Sequence, residues 1–424
     1  MAAGWRERRT ARPEGVVRKH HGDRLIVIFT VLLMFIGLLV IYAIGPQRAN
    51  LMNSVFGYDY SQGYFFWKQL LSLGLALGAF WTMSFIRYEW VLKYGKYVLW
   101  AGFISCALLA IGGWTGIVEG TNGAIRWIDL GPLGSIQPSE VLKFGVLLYL
   151  AVFLAVRMKE GRVNNLKETL APIAVVAGAA LLFVIVIQKD LGTGISLTAI
   201  VATMLFIAGI NRKIILGLLG LLIVAGSFLI FTSPHRVERV MTYLQGDNTS
   251  TSDADAYHIQ HAKIAIGSGG MFGVGIGDSV QASGYLPEAI NDSIFAIIGE
   301  TFGFIGTVAL IALFVALMMR LLGVMDHLVD QRLKLLAAGV FGWLAAHVIL
   351  NIAAMIGIFP LTGITLPLLS YGGTSMIFMT AALGLIFQLS KYTVHSSRIK
   401  EATDENSRRG RGVGRTRYAG RRSS

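Results

Sequence analysis

Charge is what this sequence has least of. Asp, Glu, Lys and Arg make up 14% of its 424 residues, against 54% hydrophobic ones. A soluble globular domain carries roughly 25% charged residues. A chain of this length has room for roughly two or three soluble domains, but its apolar runs are too long and too uncharged for soluble helices. Cysteine is scarcer still. The one thiol, Cys106, lies inside an apolar run, which excludes an internal disulfide and leaves a small helix-packing residue as its reading. There is no Walker loop. The glycine-rich IGSGGMFGVGIG contains no GxGxxG and follows no βαβ pattern, which excludes a dinucleotide site. His258 and His261 lack the cysteines or carboxylates that would complete a zinc site, and they are expected at an aqueous interface. No small-residue cleavage pattern follows the first apolar run, Leu25 to Ile44, so it is read as a retained helix.

What is present is a series of apolar stretches. About 20 such residues cross about 30 Å of hydrocarbon. Spans are expected near 25–44, 64–86, 97–117, 138–156, 169–188, 192–210, 213–232, 292–319, 334–357 and 370–390. The fold class is an all-α polytopic membrane protein of about ten transmembrane helices. Its basic residues set the orientation. The tail to Arg24 holds seven Lys and Arg, the tail from Lys391 holds ten, and the short loops on the same side bring the total to 29 of 37. That bias places both termini in the cytoplasm, near anionic headgroups. The net charge of +13 is therefore topogenic, the tail RRGRGVGRTRYAGRR included, and no nucleic-acid partner is expected.

Three parts follow: a basic cytoplasmic tail at 1–24, a membrane domain at 25–390, and a basic cytoplasmic tail at 391–424 that reads as disordered. Residues 233–291 form a long extracytoplasmic loop between helices seven and eight. Its apolar second half, HIQHAKIAIGSGGMFGVGIG, is interrupted by Lys263 and six glycines. Short helices lying on or dipping into the outer interface are expected there. A loop this long is usually functional.

Ionisable residues in a membrane bundle are costly and mark function by default. Four groups stand out. In NGAIRWIDLGPLGSIQPSEVLK, residues 122–143, Pro138 suits a first helical turn. Glu140 and Lys143 share a helical face. They form either a structural pair or, with Arg126 beside the interfacial Trp127, the anion-binding wall of a cavity. In QKDLGTG, residues 188–194, Asp190 either caps the next helix or reaches the substrate. In GYLPEAINDSIFAIIGETFGFIG, residues 284–306, Asp292 stands at the mouth of a span. It is solvated enough to ionise and dry enough for a raised pKa, as a general base requires; capping is the plainer alternative. Glu288 shares its face if the stretch is helical. Glu300, about two turns deeper, suits a structural network. In FPLTGITLPLLSYGGTS, residues 359–375, two prolines and three glycines predict a broken or re-entrant element. Such backbone persists at membrane depth only when buried in protein or lining a cavity. Ser370 and Thr374 would bond either a substrate or the freed backbone groups.

In this order and at these positions, the four blocks resemble the SEDS family (shape, elongation, division and sporulation), whose best-known members are FtsW and RodA. The likeness runs from about residue 25 to 390. GYLPEA and PLTGITLPLLSYGGTS look closer to the FtsW branch. The resemblance implies a peptidoglycan glycosyltransferase that polymerises lipid II into β-1,4 glycan at the outer face of the cytoplasmic membrane, in cell division. It implies a class B penicillin-binding protein and other division membrane proteins as partners. The family's essential outer-loop aspartate corresponds to Asp292, and its cavity residues to Arg126, Glu140 and Lys143. Glu288, Ser370, Asp190 and Lys263 complete the expected substrate-binding set.

The sequence departs from the family pattern at Lys189, where proline is usual in QPDLG, and at Asn291, where His or Thr is usual. Ser293 stands where Phe is usual, and Thr301 replaces the second glutamate of a common pair. These changes bear on the local shape around the base. For an α-linked donor and a β-linked product, inversion is expected, with Asp292 taking the acceptor's proton. Arg126, Lys143 or a divalent cation, Mg²⁺ or Mn²⁺, would offset the diphosphate charge, although no ligand set is defined. A precursor flippase or transporter would show similar intramembrane charges and broken helices. A scaffold acting through its basic tails and a RodA-type elongation role are further alternatives. A base at the outer mouth rather than the midplane favours the enzyme.

Overall fold

The computed structural model describes residues 21–115, 126–129, 135–231, 237 and 254–393. The basic tails, apart from their innermost residues, and the centre of the long loop lie outside the described residues.

Every expected span coincides with a helix. In chain order these are α1 (Arg24–Phe56), α2 (Tyr64–Phe85), α3 (Tyr88–Trp114), α4 (Pro138–Lys159), α5 (Leu166–Ile187, π-helical at both ends), α6 (Leu191–Ile207) and α7 (Arg212–Phe231). After the long loop come α8 (Ala254–Ser268), α9 (Ile294–His327), α10 (Gln331–Met355) and α11 (Gly373–Leu389). Among the described residues, seven helices are long and apolar enough to cross a membrane: α1, α3, α4, α5, α9, α10 and α11. The apolar α6 is shorter, at 17 residues. The fold is thus an all-α, multi-pass membrane fold. The described β structure is one antiparallel ladder pairing β1 (Ile128–Asp129) with β2 (Ser135–Ile136) just before α4.

Local chemistry sets the helix ends. The Asp23 side chain accepts from Leu25 N at 3.1 Å to open α1, and the left-handed Gly57 ends it. Pro138 opens α4, where its missing N–H has no helical partner to lose. Packing then follows close backbone approach, as expected where lipid removes the hydrophobic drive between helices. A Cβ on Gly102 of α3 would come 2.6 Å from Leu142 Cα, and one on Gly145 of α4 would come 2.5 Å from Leu99 Cα. On α2 and α11, Ser84 Oγ donates to Gly384 O at 3.3 Å.

Three helices form the centre. The most apolar window is 61% buried in α4, 67% in α10 and 72% in α11, against 22% in α3 and 33% in α5 and α9. The outer helices turn large apolar side chains such as Phe35, Trp100 and Phe304 outward, as a lipid environment demands.

Two features tie distant parts together. At one end, Asp23 N donates to Ser390 Oγ at 2.8 Å, and the Asp23 carboxylate accepts from Arg320 Nε at 2.8 Å. Further along α9 the helix breaks at Gly303, whose φ is 66° and ψ −163°. The glycine-rich loop after α8 docks on this break. Phe304 N donates to Gly270 O at 2.8 Å, Ile305 N to Met271 O at 3.2 Å, and Val274 N to Glu300 O at 2.9 Å. The helix and the loop thus satisfy each other's backbone groups, which non-helical chain at membrane depth requires. Among the described residues of the long loop the α-helix is α8, and the glycines beyond it form this docked loop rather than more helix.

Candidate active site

The turn from Pro287 to Ser293 carries Asp292. It is not helical, so Glu288 and Asp292 do not share a helix face as the sequence suggested. Glu288 is exposed and sits in the left-handed region at φ 50°, which costs a non-glycine residue free energy. Its carboxylate accepts from Asn291 Nδ2, and its carbonyl accepts from Asn291 N at 2.9 Å and Ser293 N at 3.2 Å. The turn is closed on itself, and α9 begins directly after it.

Asp292 is half-buried. Its backbone oxygen accepts from Asn351 Nδ2 at 2.6 Å, and the same amide donates to Ile364 O at 2.8 Å. Asn351 of α10 therefore joins the aspartate's turn to the broken segment between α10 and α11. Tyr371 N, from that segment, donates back to Ile290 O at 2.8 Å. On the other side stands α8. His258 is buried, with Nε2 2.5 Å from Ser293 Oγ. This corrects the expectation that His258 faces water. His261, by contrast, is part-buried, with Nδ1 2.8 Å from Gln281 Oε1.

One turn before Asn351 on α10, His347 leads to the buried charges. Lys143 Nζ lies 2.8 Å from Glu140 Oε1, with side-chain exposures of 0% and 2%. The ammonium also lies 3.4 Å from His347 Nε2, 3.5 Å from Ser196 Oγ and 4.8 Å from the Trp343 ring centroid. The carboxylate that a buried lysine requires is thus Glu140. The expected offset of diphosphate charge by Lys143 finds no exposed surface on that side chain. It braces the wall behind the site. His347 Nδ1 in turn lies 3.4 Å from Thr365 O, in the broken segment.

The remaining candidates serve the backbone. Asp190 accepts from Thr193 N at 3.0 Å and Thr193 Oγ1 at 2.9 Å to cap α6, and from Gln137 Nε2 at 3.0 Å. Arg126 Nη2 donates to Lys189 O at 2.6 Å, and its Nε to Gln188 O at 3.4 Å, so its guanidinium fastens the α5–α6 turn. Lys189 itself is exposed at φ 55°. Ser370 Oγ accepts from Leu366 N at 2.8 Å, and Thr374 Oγ1 donates to Ser135 O at 2.5 Å. Both hydroxyls take the freed-backbone option. Lys263 is exposed on α8 and lies over Gly357. Glu300 accepts from Ser279 Oγ at 2.5 Å, Val280 N at 3.0 Å and Gln281 N at 3.2 Å, a structural network.

Asn351, His347 and His258 were not singled out from the sequence. Asn351 and His347 are one turn apart on α10 and adjoin a broken segment, and polar residues inside an apolar run are a usable signal. Among the described residues no three His, Cys, Asp or Glu side chains gather as a metal set. A cavity of about 670 Å³ lies elsewhere, between Lys159, Asp330, Arg332, Tyr88 and Tyr392. It is at the far end of α4, about 28 Å along the helix from Glu140, and holds none of these residues.

The FtsW/RodA/SpoVE family, described as cell cycle protein, matches residues 23–395. The chain belongs to this family. Stage V sporulation protein E of Bacillus subtilis (strain 168) is 34% identical over 379 residues, covering 89% of this chain and 99% of that relative. The probable peptidoglycan glycosyltransferase FtsW of Methylococcus capsulatus is 35% identical over 342 residues, covering 79% and 83%. Solved structures agree on the fold. A chain from a peptidoglycan synthase complex that coordinates polymerisation and crosslinking gives a TM-score of 0.68 at 24% identity, over 87% of this chain and 97% of that one. The rod shape determining protein RodA of Thermus thermophilus gives 0.63 at 24% identity, over 88% and 98%. Of the blocks that carry the resemblance, the segment after α10 meets the turn of Asp292 through Tyr371 N and Ile290 O.

Proposed function

We propose that this family member is a peptidoglycan glycosyltransferase that polymerises lipid II, with Asp292 as its general base. Family membership, with curated relatives named probable peptidoglycan glycosyltransferase FtsW, supports the activity. The observation that carries the site is Asp292 itself. It is half-buried at the start of α9, and its main chain is held by Asn351.

The reaction joins the acceptor's 4-hydroxyl oxygen to the donor's anomeric carbon while the bond from that carbon to the polyprenyl diphosphate breaks. Attack opposite the leaving group converts the α linkage to β without a covalent intermediate. Asp292 takes the hydroxyl proton as the oxygen attacks. Base catalysis of this kind contributes about 10² to 10⁴ in rate. The cation offered to the departing diphosphate is Arg126, part-exposed where it fastens the α5–α6 turn, with the exposed Lys189 beside it. The polyprenyl tails lie among the spans.

Both termini face the cytoplasm in this reading, and Asp292 faces outward. A class B penicillin-binding protein is the transpeptidase partner, other division membrane proteins complete the assembly, and the role is in division. The test is polymer formation from lipid II, scored on a gel, by the purified chain with its transpeptidase. Asp292→Asn is expected to lower the rate about 10²- to 10⁴-fold. Polymerisation at the wild-type rate overturns the base assignment. Transbilayer movement of lipid-linked sugar with no polymer formed replaces the enzyme with a transporter.

A further inference from the structure

We infer that His258 is a positioning residue for Asp292, acting through Ser293, and that α8 thereby holds the base in register; this rests on Asp292 being the base. The hydrogen-bond roles follow from the partners. Ser293 Oγ lies 2.9 Å from Pro287 O, a carbonyl that can only accept. With the Ser293 proton given to Pro287 O, the serine oxygen accepts from His258 Nε2–H at 2.5 Å, which assigns the Nε2-protonated tautomer to His258. His258 and Ser293 are both buried, at 8% and 0% exposure. The contact is thus shielded from water, where a hydrogen bond is stronger than at the surface.

The geometry explains why this bond matters. Pro287 and Ser293 are the two ends of the turn that carries Asp292. Ser293 clamps them together, and His258 fixes the clamp from a different element. Asn351 holds the Asp292 carbonyl from α10. The aspartate is therefore fixed by α8 on one flank and α10 on the other, while Glu288 within the turn keeps a left-handed conformation. α8 lies within the long outer loop, so the aspartate's position depends on how that loop is seated.

The experiment measures lipid II polymerisation by the full chain with its transpeptidase. A misplacement of about 1 Å costs a reaction about 10²-fold. His258→Ala is expected to lower kcat about 10- to 100-fold, with KM for lipid II changed less than about twofold. His258→Gln, whose amide can donate to the same oxygen, is expected to recover most of the loss. Ser293→Ala, which removes the bond to Pro287 as well, is expected to lose at least as much kcat, and the double variant no more than Ser293→Ala alone, because His258 then has no oxygen to donate to. In an Asp292→Asn background, His258→Ala is expected to leave the residual rate unchanged.

Wild-type kcat in His258→Ala overturns the positioning role, as does a loss that multiplies with Asp292→Asn. Thermal melting and gel filtration accompany each variant. If His258→Ala does not fold, Ser293→Ala, which removes a single oxygen, carries the test: an unchanged kcat overturns the inference. Full activity in Asp292→Asn overturns the base assignment instead. An inactive Asp292→Asn beside fully active His258→Ala and Ser293→Ala overturns only the positioning role.

Discussion

Lys143 has 0% of its side chain exposed, so its charge is settled inside the protein. Burying an ion pair is not a large net gain, but removing one member strands the other and costs about 3–5 kcal/mol. Lys143→Met is therefore expected to destabilise the chain by about that amount, measured by denaturant unfolding in detergent. The double change Glu140→Ala/Lys143→Met is expected to lose less than Lys143→Met alone. An unchanged midpoint for the single variant would return Lys143 to the exposed, anion-binding role. The pair was legible in the sequence, because residues 140 and 143 share a helix face and a buried lysine needs an anion. Its three other neighbours were not. Ser196, His347 and Trp343 come from α6 and α10, and no local spacing shows which face of one helix meets another. His258 was misplaced for a related reason. Its burial depends on Ser293, 35 residues away along the chain.

At the scale of elements, the break in α9 is the joint on which the outer loop is mounted. A Cβ on Gly303 would lie 2.4 Å from Gly273 N, at a φ of 66° that other residues adopt only with strain. Gly303→Ala is expected to expel the docked loop while sparing the lipid-facing half of α9. Hydrogen exchange at residues 269–275 would report it, as accelerated exchange of Val274 N–H, whose acceptor is Glu300 O. Unchanged protection there would mean that the loop is held by other contacts. The spans were legible because run length and charge are local quantities. The break and its docking partner were not. A glycine inside an apolar run looks the same whether it allows close helix packing, as Gly102 does, or a φ no other residue takes easily, as Gly303 does. The broken element after α10 could be read, because paired prolines and glycines leave no helical alternative.

For the whole molecule, the orientation proposed from the basic residues is open to direct test. The chain has one cysteine, Cys106, and it is buried, so an introduced thiol can be read against a silent background. A cysteine at Glu288, exposed beside Asp292, is expected to react with a membrane-impermeant reagent in intact cells. One at Arg162, in the turn before α5, is expected to react only after permeabilisation. The reverse pattern would put Asp292 on the side without the diphosphate-linked donor and remove the proposed reaction. Charge bias is the signal to use for orientation because orientation depends on a sum over many residues. The site depends on a few contacts between distant ones.

The clasp between Asp23, Arg320 and Ser390 has a consequence for biogenesis. A ribosome releases residue 23 into the membrane long before it has made residue 390. The first helix must therefore wait in lipid, its carboxylate without Arg320 until α9 has been made and its Asp23 N–H without Ser390 until the last helix has been inserted. The clasp is then closed only once α11 has been made. A chain stalled before α11 would leave its first helix loosely held and exposed to membrane quality control.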